Sequence, residues 1–338
     1  DNNAPSAINT IKAIRLQQFK MKLSVGKTLW GVDANPGNWD DVFGRIKSEG
    51  FEAIECVAAL SFQADVVLFK DLLAKHGLKL IVQIHTNGGF FKNGAYVYCL
   101  NADKDQHLAN FQSQVKEALE MGAFLINAHS GHDSWSLDTA VSYFEEALEI
   151  EKNALSDPAY SHVTIVHETH RQRLMYSPFQ TRDILKHPQL KQLKINADLS
   201  HWVCVCERVF DLNDCRDSSW WPEVLALVAE HCHFIHARVG HAEGPQVFDP
   251  RDGVWSAEVE AHLHWWETIW KAQQARGMAV SVVEPEHGPP PYQQYDAMPL
   301  PGEAKTHLQQ TDMDAILWDI NSHVKDVVVE RFQKLGNA

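Results

Sequence analysis

The sequence predicts an α/β fold, a single (β/α)₈ TIM barrel, from three observations. A short apolar run followed by an amphipathic helical pattern occurs eight times along the 338 residues. No change in composition separates these units. No Gly-x-Gly-x-x-Gly loop follows any of the apolar runs, which disfavours the alternative, an open doubly wound sheet. We therefore divide the chain into an N-terminal extension, residues 1–20, and one barrel, residues 21–338.

The predicted strands are rich in β-branched residues and have the length of buried parallel strands. They cover residues 22–33, 51–58, 78–86, 124–131, 162–170, 193–202, 232–240 and 279–288.

Helical patterns separate these runs. Residues 104–121 and 136–154 are two of them, and Ser136 is a candidate N-cap for the second. Thr311 is the candidate N-cap of the last helix, in which Ile316 and Ile320 share one face with the valines that follow. Additional segments follow strands three, seven and eight, where they are expected to lie on the catalytic face. These segments are residues 87–102, expected to close over the pocket, 241–255 and 289–305.

Composition excludes several classes of protein. Hydrophobic residues make up 45% and charged residues 22%, which excludes a disordered chain. No apolar run reaches the roughly 18–20 residues that cross a bilayer, so we expect no membrane partner. Lys and Arg total 30 against 44 Asp and Glu, and the net charge of −14 argues against nucleic acid. Six cysteines without Cys-x-x-Cys spacing indicate reduced thiols and a cytoplasmic protein.

Ionisable residues recur where the predicted strands end. Because the carboxyl ends of barrel strands meet at one face, we expect these side chains to share one pocket. They are Asp33, Glu55, His85, His129, Glu168, Asp198, His201, His236, Glu284 and Glu286. Burying so many charges without partners would be costly, and one divalent cation would compensate them. Carboxylates with an imidazole and no sulfur favour Mn²⁺, with Mg²⁺, Co²⁺ or Zn²⁺ as alternatives.

Four successive strands supply the predicted metal ligands. They are Glu168, Asp198, His236 and one of the two glutamates of the last strand, Glu284 or Glu286. Side chains alternate along a strand, so Glu168 shares a face with Thr164 and Val166. The same alternation places Glu284 and Glu286 on one face and does not choose between them.

Another group of residues is predicted to bind substrate: His201, Arg238, His129 and His85. His201 lies where strand six turns into its loop, and Arg238 points the same way as His236, two residues earlier. The alternative for the histidines is a neutral ring satisfied by backbone groups. The alternative for Arg238 is an ion pair with Glu286 or Asp249.

The order of these residues resembles the xylose-isomerase-like TIM-barrel superfamily over about residues 22–335. The resemblance rests on Glu168, the Asp198-Leu-Ser-His201 segment, His236 and a strand-eight glutamate. The Asn127-Ala-His129-Ser-Gly131 segment also matches the superfamily's Asn-x-His-x-Gly form. Pro285-Glu286-His-Gly-Pro is similar to the Pro-Glu-x-Gly-Pro of sugar-isomerase-like members, which favours Glu286 as the fourth ligand, whereas a Glu-Pro ending, as in some epimerases, favours Glu284.

The resemblance implies a divalent-metal-dependent sugar isomerase or epimerase that acts on a small carbohydrate or polyol-derived ketone. Glu168 and Glu286 would exchange a proton next to the carbonyl through a metal-stabilised enediolate. The alternatives are a lyase on the same scaffold, either a dehydratase or a deglycosidase of a keto-sugar derivative, and a non-catalytic carbohydrate-binding barrel. A homo-oligomer is compatible with each of these three functions.

Two motifs of known superfamily members are missing from this sequence, which narrows the range of expected activities. Apurinic endonucleases have an Asp-x-His ligand pair after strand seven, but this chain has Asp249-Pro-Arg251, and arginine does not ligate metals. The lysines of xylose isomerase proper are missing from strand five, where Glu168-Thr-His170-Arg171 stands instead. The sequence therefore argues against DNA repair.

Overall fold

A computed structural model describes residues 21–57, 65–87, 90–92, 95–97, 103–293 and 310–336 of the protein. The predicted N-terminal extension, residues 1–20, lies outside the described residues. Eight parallel strands follow one another around a closed barrel in chain order, and the eighth pairs with the first, which confirms the predicted fold. The strands are β1 Lys22–Thr28, β2 Ala53–Val57, β3 Lys79–His85, β4 Ala123–His129, β5 Thr164–Glu168, β6 Ile195–Ala197, β7 Cys232–Ala237 and β8 Val280–Pro285.

Helices connect the strands, and most of their predicted boundaries agree with the structure. The Ser136 hydroxyl accepts a hydrogen bond from the Thr139 amide and caps its helix as predicted. Thr311 lies inside the last helix, Gln310–Gly336, so the prediction of Thr311 as its N-cap is wrong. None of the described helices combines the length and apolar character needed to cross a membrane. The α-helices are α1 Trp39–Ser48, α2 Val66–His76, α3 Lys104–Glu120, α4 Leu137–Ala154, α5 Pro178–Leu185, α6 Ser200–Val205, α7 Trp221–His231, α8 Ser256–Ala275 and α9 Gln310–Gly336.

One layer of apolar side chains fills the barrel interior and sets the depth of the site. Its buried members are Ala53, Ile81, Leu125, Val166, Phe234 and Val282. Because side chains alternate along a strand, the residues two positions later point inward as well, one layer nearer the carboxyl ends. That next layer includes Glu55, Asn127, Glu168, His236 and Glu284. Strand geometry therefore holds these polar side chains on top of a packed apolar core.

Several predicted strands extend too far at their carboxyl ends. Strand β1 ends at Thr28, and a turn with Gly31 at a φ of 78° follows it. This turn brings Asp33 to the surface, where its carboxylate accepts a hydrogen bond from Asn35. The prediction of Asp33 as a pocket residue is therefore wrong. Residues 200–202, predicted as strand, begin helix α6.

The structure describes the segments after strands three, seven and eight to different extents. An antiparallel hairpin, Phe90–Lys92 with Ala95–Val97, follows β3, but the rest of the predicted lid lies outside the described residues.

The segments after β7 and β8 are joined by the buried amide of Gln246. Its nitrogen donates to the Gly288 carbonyl at 3.1 Å and to the Gln293 side chain at 2.7 Å. This amide therefore fixes the two segments against each other at the mouth of the barrel.

Candidate metal centre

Four buried side chains converge at the carboxyl ends of β5 to β8. Glu168 ends β5, His236 lies in β7, and Asp198 and Glu286 each follow the last residue of their strand. Their ligand atoms all lie within 4.8 Å of one another, and none of the four residues is more than 4% exposed. The structure thus brings together the four residues that the sequence analysis selected as ligands. We call this set the carboxylate cluster.

Several atoms of the carboxylate cluster lack a hydrogen-bond partner among the described residues. They are Oε1 of Glu168, Oε2 of Glu286 and both ring nitrogens of His236. His236 Nδ1 lies 2.9 Å from Glu286 Oε2, a close contact between opposite charges. Buried lone pairs without partners are costly, and a shared cation would satisfy them. Three carboxylates and one imidazole suit Mn²⁺, Mg²⁺, Co²⁺ or Zn²⁺, so these residues fit a divalent ion.

Side-chain amides orient Glu168. Its Oε2 accepts hydrogen bonds from Asn127 at 2.7 Å and from Asn196 at 3.2 Å, and His129 Nε2 lies 2.9 Å from the same oxygen. Burial raises the pKa of Glu168, while the positive charge of His236 opposes the rise. Asn196 was not predicted as a site residue from the sequence, although it lies two residues before Asp198 and therefore on the same side of the strand.

Arg238 is buried within the carboxylate cluster. Its guanidinium pairs with Asp198, donates to His201 Nε2 at 2.8 Å and lies 3.2 Å from Glu286. Of the ion pairs that the sequence left open, the one with Glu286 is present, whereas Asp249 pairs with an arginine of its own loop. Burial raises the pKa of Asp198 to about 6, against the pull of Arg238. Burial also acts to raise the pKa of Glu286, but the charges of His236 and Arg238 hold it at about 2.

Four buried imidazoles form a continuous row beside the cluster. Ring centroids lie 4.3 Å apart between His85 and His129, 4.6 Å between His129 and His170, and 3.8 Å between His170 and His201. Burial lowers the pKa of all four well below 6.5, so the rings are neutral at pH 7. Three of them are predicted substrate-binding residues. The fourth, His170, was not predicted as a site residue from the sequence, although it follows Glu168 by two residues and so points the same way.

The two glutamates of the last strand lie at different depths. Glu286 reaches the carboxylate cluster, whereas Glu284 lies deeper and groups with Glu55 on the other side of His236. A Cβ atom on Gly26 would lie 2.5 Å from the Glu284 carboxylate, so only glycine leaves room for it. Burial, followed by the charge of Glu55, raises the pKa of Glu284 well above 4.5. The depth in the barrel therefore favours Glu286 over Glu284 for the cluster.

Replacing each glutamate by glutamine is expected to separate their roles. Glu286→Gln should weaken metal binding by at least about 100-fold, because it removes a charged donor. Glu284→Gln should leave metal affinity nearly unchanged, because Glu284 lies outside the carboxylate cluster and its raised pKa favours the neutral acid, which an amide resembles. Metal titrations of the two purified variants measure this difference. Loss of metal in Glu284→Gln with retention in Glu286→Gln would reverse the assignment.

A cavity of about 370 Å³ opens beside the carboxylate cluster, at the ends of β1, β2 and β3. Glu55 and Glu286 line the side next to the cluster, and Trp30, Val32 and Val57 are among the apolar residues of the other walls. Its volume lies in the range of small-molecule sites, roughly 300–1,000 Å³. The site therefore combines a cluster of potential ligands with room for a small molecule.

Known proteins share this architecture. The family model described as a xylose isomerase-like TIM barrel matches residues 43–288. No curated protein matches the sequence at a significant level. The similar solved structures include an L-ribulose 3-epimerase, with 13% identity, a TM-score of 0.55 and coverage of 92% of this chain and 96% of that chain.

Two further solved structures are similar over nearly their whole length. A D-allulose 3-epimerase from Methylomonas sp. has 12% identity and a TM-score of 0.52, covering 93% of this chain and 100% of that chain. A probable 3-DHS dehydratase, AsbF, from Bacillus anthracis has 14% identity and a TM-score of 0.51, covering 87% and 97%. At these identities the likeness shows the fold alone. The family match spans well over half of the sequence, and the chain therefore belongs to the xylose isomerase-like TIM barrels.

Proposed function

We propose that the protein is a divalent-metal-dependent isomerase or epimerase that moves a proton next to the carbonyl group of a small carbohydrate. The observation that carries the proposal is the carboxylate cluster, whose unsatisfied atoms converge beside a cavity of small-molecule size. Membership of a family with sugar epimerases among its structural relatives supports the same reading.

The proposed metal ligands are Glu168, Asp198, His236 and Glu286, with Mn²⁺ as the first choice of ion. When bound, such an ion supplies Lewis acidity, which polarises the substrate oxygens and stabilises negative charge beside the carbonyl. Arg238 holds Asp198 and Glu286 in place from the other side, because its guanidinium contacts both carboxylates.

Glu168 and Glu286 are the proposed proton-transfer pair. The ligand atoms of Glu168 and Glu286 lie within 4.8 Å of each other, so a substrate atom beside the cluster would lie close to both carboxylates. The pKa of Glu286 is lowered and that of Glu168 is raised, and this difference assigns one residue as the base and the other as the acid. Glu286 is ionised, as a base must be, and the raised pKa of Glu168 favours the protonated form that an acid needs.

The proposed substrate-binding residues are His201, Arg238, His129 and His85. A neutral imidazole has one N–H donor and one acceptor nitrogen. Nε2 of His201 accepts from Arg238, so its Nδ1 carries the proton and can donate to a hydroxyl or carbonyl oxygen. The Nδ1 of His201 has no hydrogen-bond partner among the described residues, which leaves it free for this contact. The rest of the substrate would enter the adjoining cavity beneath Trp30.

Proton exchange with solvent tests this proposal. Incubating the metal-loaded protein with a panel of ketoses and aldoses in deuterated water should place deuterium on the carbon beside the carbonyl, as NMR would detect. Glu168→Gln should slow this exchange by about 10²- to 10⁴-fold, because it removes a positioned acid–base group. Glu151→Gln is the matched control, since Glu151 is also buried and bound to a histidine, but outside the site.

The same experiment separates the competing reactions. Transfer of substrate deuterium between carbons without washout would indicate a hydride shift and remove Glu168 and Glu286 from the acid–base role. Elimination of a hydroxyl or glycosyl group would identify the lyase alternative. Binding of the sugar without any conversion would identify a non-catalytic barrel.

A further inference from the structure

Arg171 is a half-buried cation that follows Glu168 by three residues. In the described part of the chain, no carboxylate lies within 4 Å of its guanidinium, which lies against the Tyr292 side chain and donates to the sulfur of Cys204 at 3.9 Å. Sulfur is a weak acceptor, so this contact compensates little of the charge. We propose that Arg171 binds an acidic group of the substrate, a carboxylate or a phosphate. The inference rests on the proposed function, because it names the substrate class of the same site.

Most of the described arginines pair with a carboxylate of the protein, and Arg276 donates instead to the backbone carbonyls of Ala229 and Cys232. Seven described arginines pair with a carboxylate of the protein: Arg45, Arg182, Arg208, Arg216, Arg238, Arg251 and Arg331. With a net charge of −14, the chain offers many carboxylates. Arg171 lies next to a cluster of three of them and still pairs with none. A carboxylate or a phosphate would supply two acceptor oxygens for the paired N–H donors of the guanidinium.

Tyr292 connects Arg171 to the site. The guanidinium carbons of Arg171 and Arg238 each lie 4.8 Å from the centroid of its ring. The Tyr292 hydroxyl lies 3.4 Å from His170 Nε2, and the ring packs edge-on against Trp30 at 4.9 Å. Two carboxylates neutralise Arg238, whereas Arg171 keeps its charge at the same ring. Arg171 therefore brings a charge with no carboxylate partner among the described residues to the Tyr292 ring, which packs against the cavity-lining Trp30.

The opposite end of the pocket disfavours an anion. The charged residues that line the cavity, Glu55 and Glu286, are both acidic. Neutral imidazoles, by contrast, separate the cluster from the Arg171 end, with His170 and His201 nearest to Tyr292. A substrate would therefore lie with its neutral part in the cavity, its reacting oxygens at the cluster and its acidic group at Arg171.

Binding of matched sugars to the full chain tests this orientation. Calorimetry would compare D-glucuronate with D-glucose for a carboxylate, and D-fructose 6-phosphate with D-fructose for a phosphate. The wild-type protein should bind the acidic member of at least one pair about 10- to 100-fold more tightly, and Arg171→Gln should abolish that preference. The pair that responds identifies the acidic group. Arg171→Lys should keep part of the preference, because it retains charge but loses the two-pronged geometry.

Arg45→Gln is the matched control, because Arg45 also lies over an aromatic ring, 3.7 Å from the centroid of Trp318, but outside the site. It should leave both preferences unchanged. The proposal is overturned if wild-type protein prefers neither acid, or if Arg171→Gln keeps the preference. Each comparison is run on metal-loaded and on chelator-treated protein. Failure of the wild type to bind metal would defeat the proposed function, while the effect of Arg171 would still be read from the chelator-treated series.

Discussion

Replacing Asp198 by alanine is expected to abolish metal binding and to lower the free energy of unfolding by about 3–5 kcal/mol. The substitution removes one proposed ligand and takes from Arg238 the carboxylate that it pairs with in the barrel interior. The buried guanidinium would keep only the Glu286 carboxylate, at 3.2 Å, and this loss of pairing accounts for the lower stability. Urea denaturation in the presence of chelator measures the stability change apart from the contribution of bound metal.

Asp217→Ala is the matched control for this prediction. Asp217 is also buried and pairs with an arginine, Arg208, at 2.9 Å, but it lies outside the carboxylate cluster. We expect a smaller loss of stability, because the Arg208 side chain is 31% exposed, with metal binding retained. Stoichiometric metal in Asp198→Ala would show that Asp198 is not a ligand, and loss of metal from Asp217→Ala would show that metal retention follows stability alone.

Acid is expected to destabilise the protein steeply below pH 6.5. Burial lowers the pKa of the four histidines of the imidazole row. At pH values between the folded and the unfolded pKa, the unfolded chain therefore binds more protons than the folded chain. Their stabilising contribution is complete above pH 6.5 and is lost as the pH falls towards the folded pKa values. Each histidine contributes up to about 1.4 kcal/mol per pH unit.

Groups with a raised pKa act in the opposite direction. Asp198, with a pKa raised to about 6, and the buried Glu168 and Glu284 take up protons in the folded state first, which stabilises it as the pH falls. His236 also has a raised pKa, so its contribution is complete below pH 6.5 and is lost at higher pH. Four further histidines with lowered pKa outweigh the three carboxyl groups: His107, His233, His262 and His287.

Urea unfolding of the metal-free protein between pH 7.5 and 5 measures the net effect. We expect the free energy of unfolding to fall by several kcal/mol over this range. Replacing His262, which lies outside the site, by glutamine should reduce the slope by about one proton. A free energy of unfolding that stays constant from pH 7 to 5.5 would contradict the assignment of these rings as neutral.

The barrel and much of the site follow from the alternation of side chains along eight apolar runs. Glu168, Asp198 and His236 could be selected because each ends a strand that is otherwise apolar. Asp33 was selected by the same reasoning and is wrong, because Leu29 and Val32 extend the apolar run beyond the strand. In the structure those two residues line the cavity instead, so their apolar character reflects a pocket wall.

Contacts between distant segments could not be predicted from the sequence. The pairing of Arg238 with Asp198 joins residues that are 40 positions apart and depends on the stagger of neighbouring strands. Glu284 and Glu286 share a face, so only the register of β8 against β7, which pairs Glu284 with His236, sets their depths. Asn196 and His170, in contrast, lie two residues from predicted ligands and could have been found by alternation alone.

Metal content of the wild-type chain tests the central claim most directly. The protein would be equilibrated with Mn²⁺, dialysed and analysed by elemental mass spectrometry, beside a variant with amides in place of Glu168, Asp198 and Glu286. The account predicts about one equivalent of Mn²⁺ per wild-type chain and none in the triple variant. A wild-type chain without metal, or a triple variant that retains a full equivalent, would contradict it.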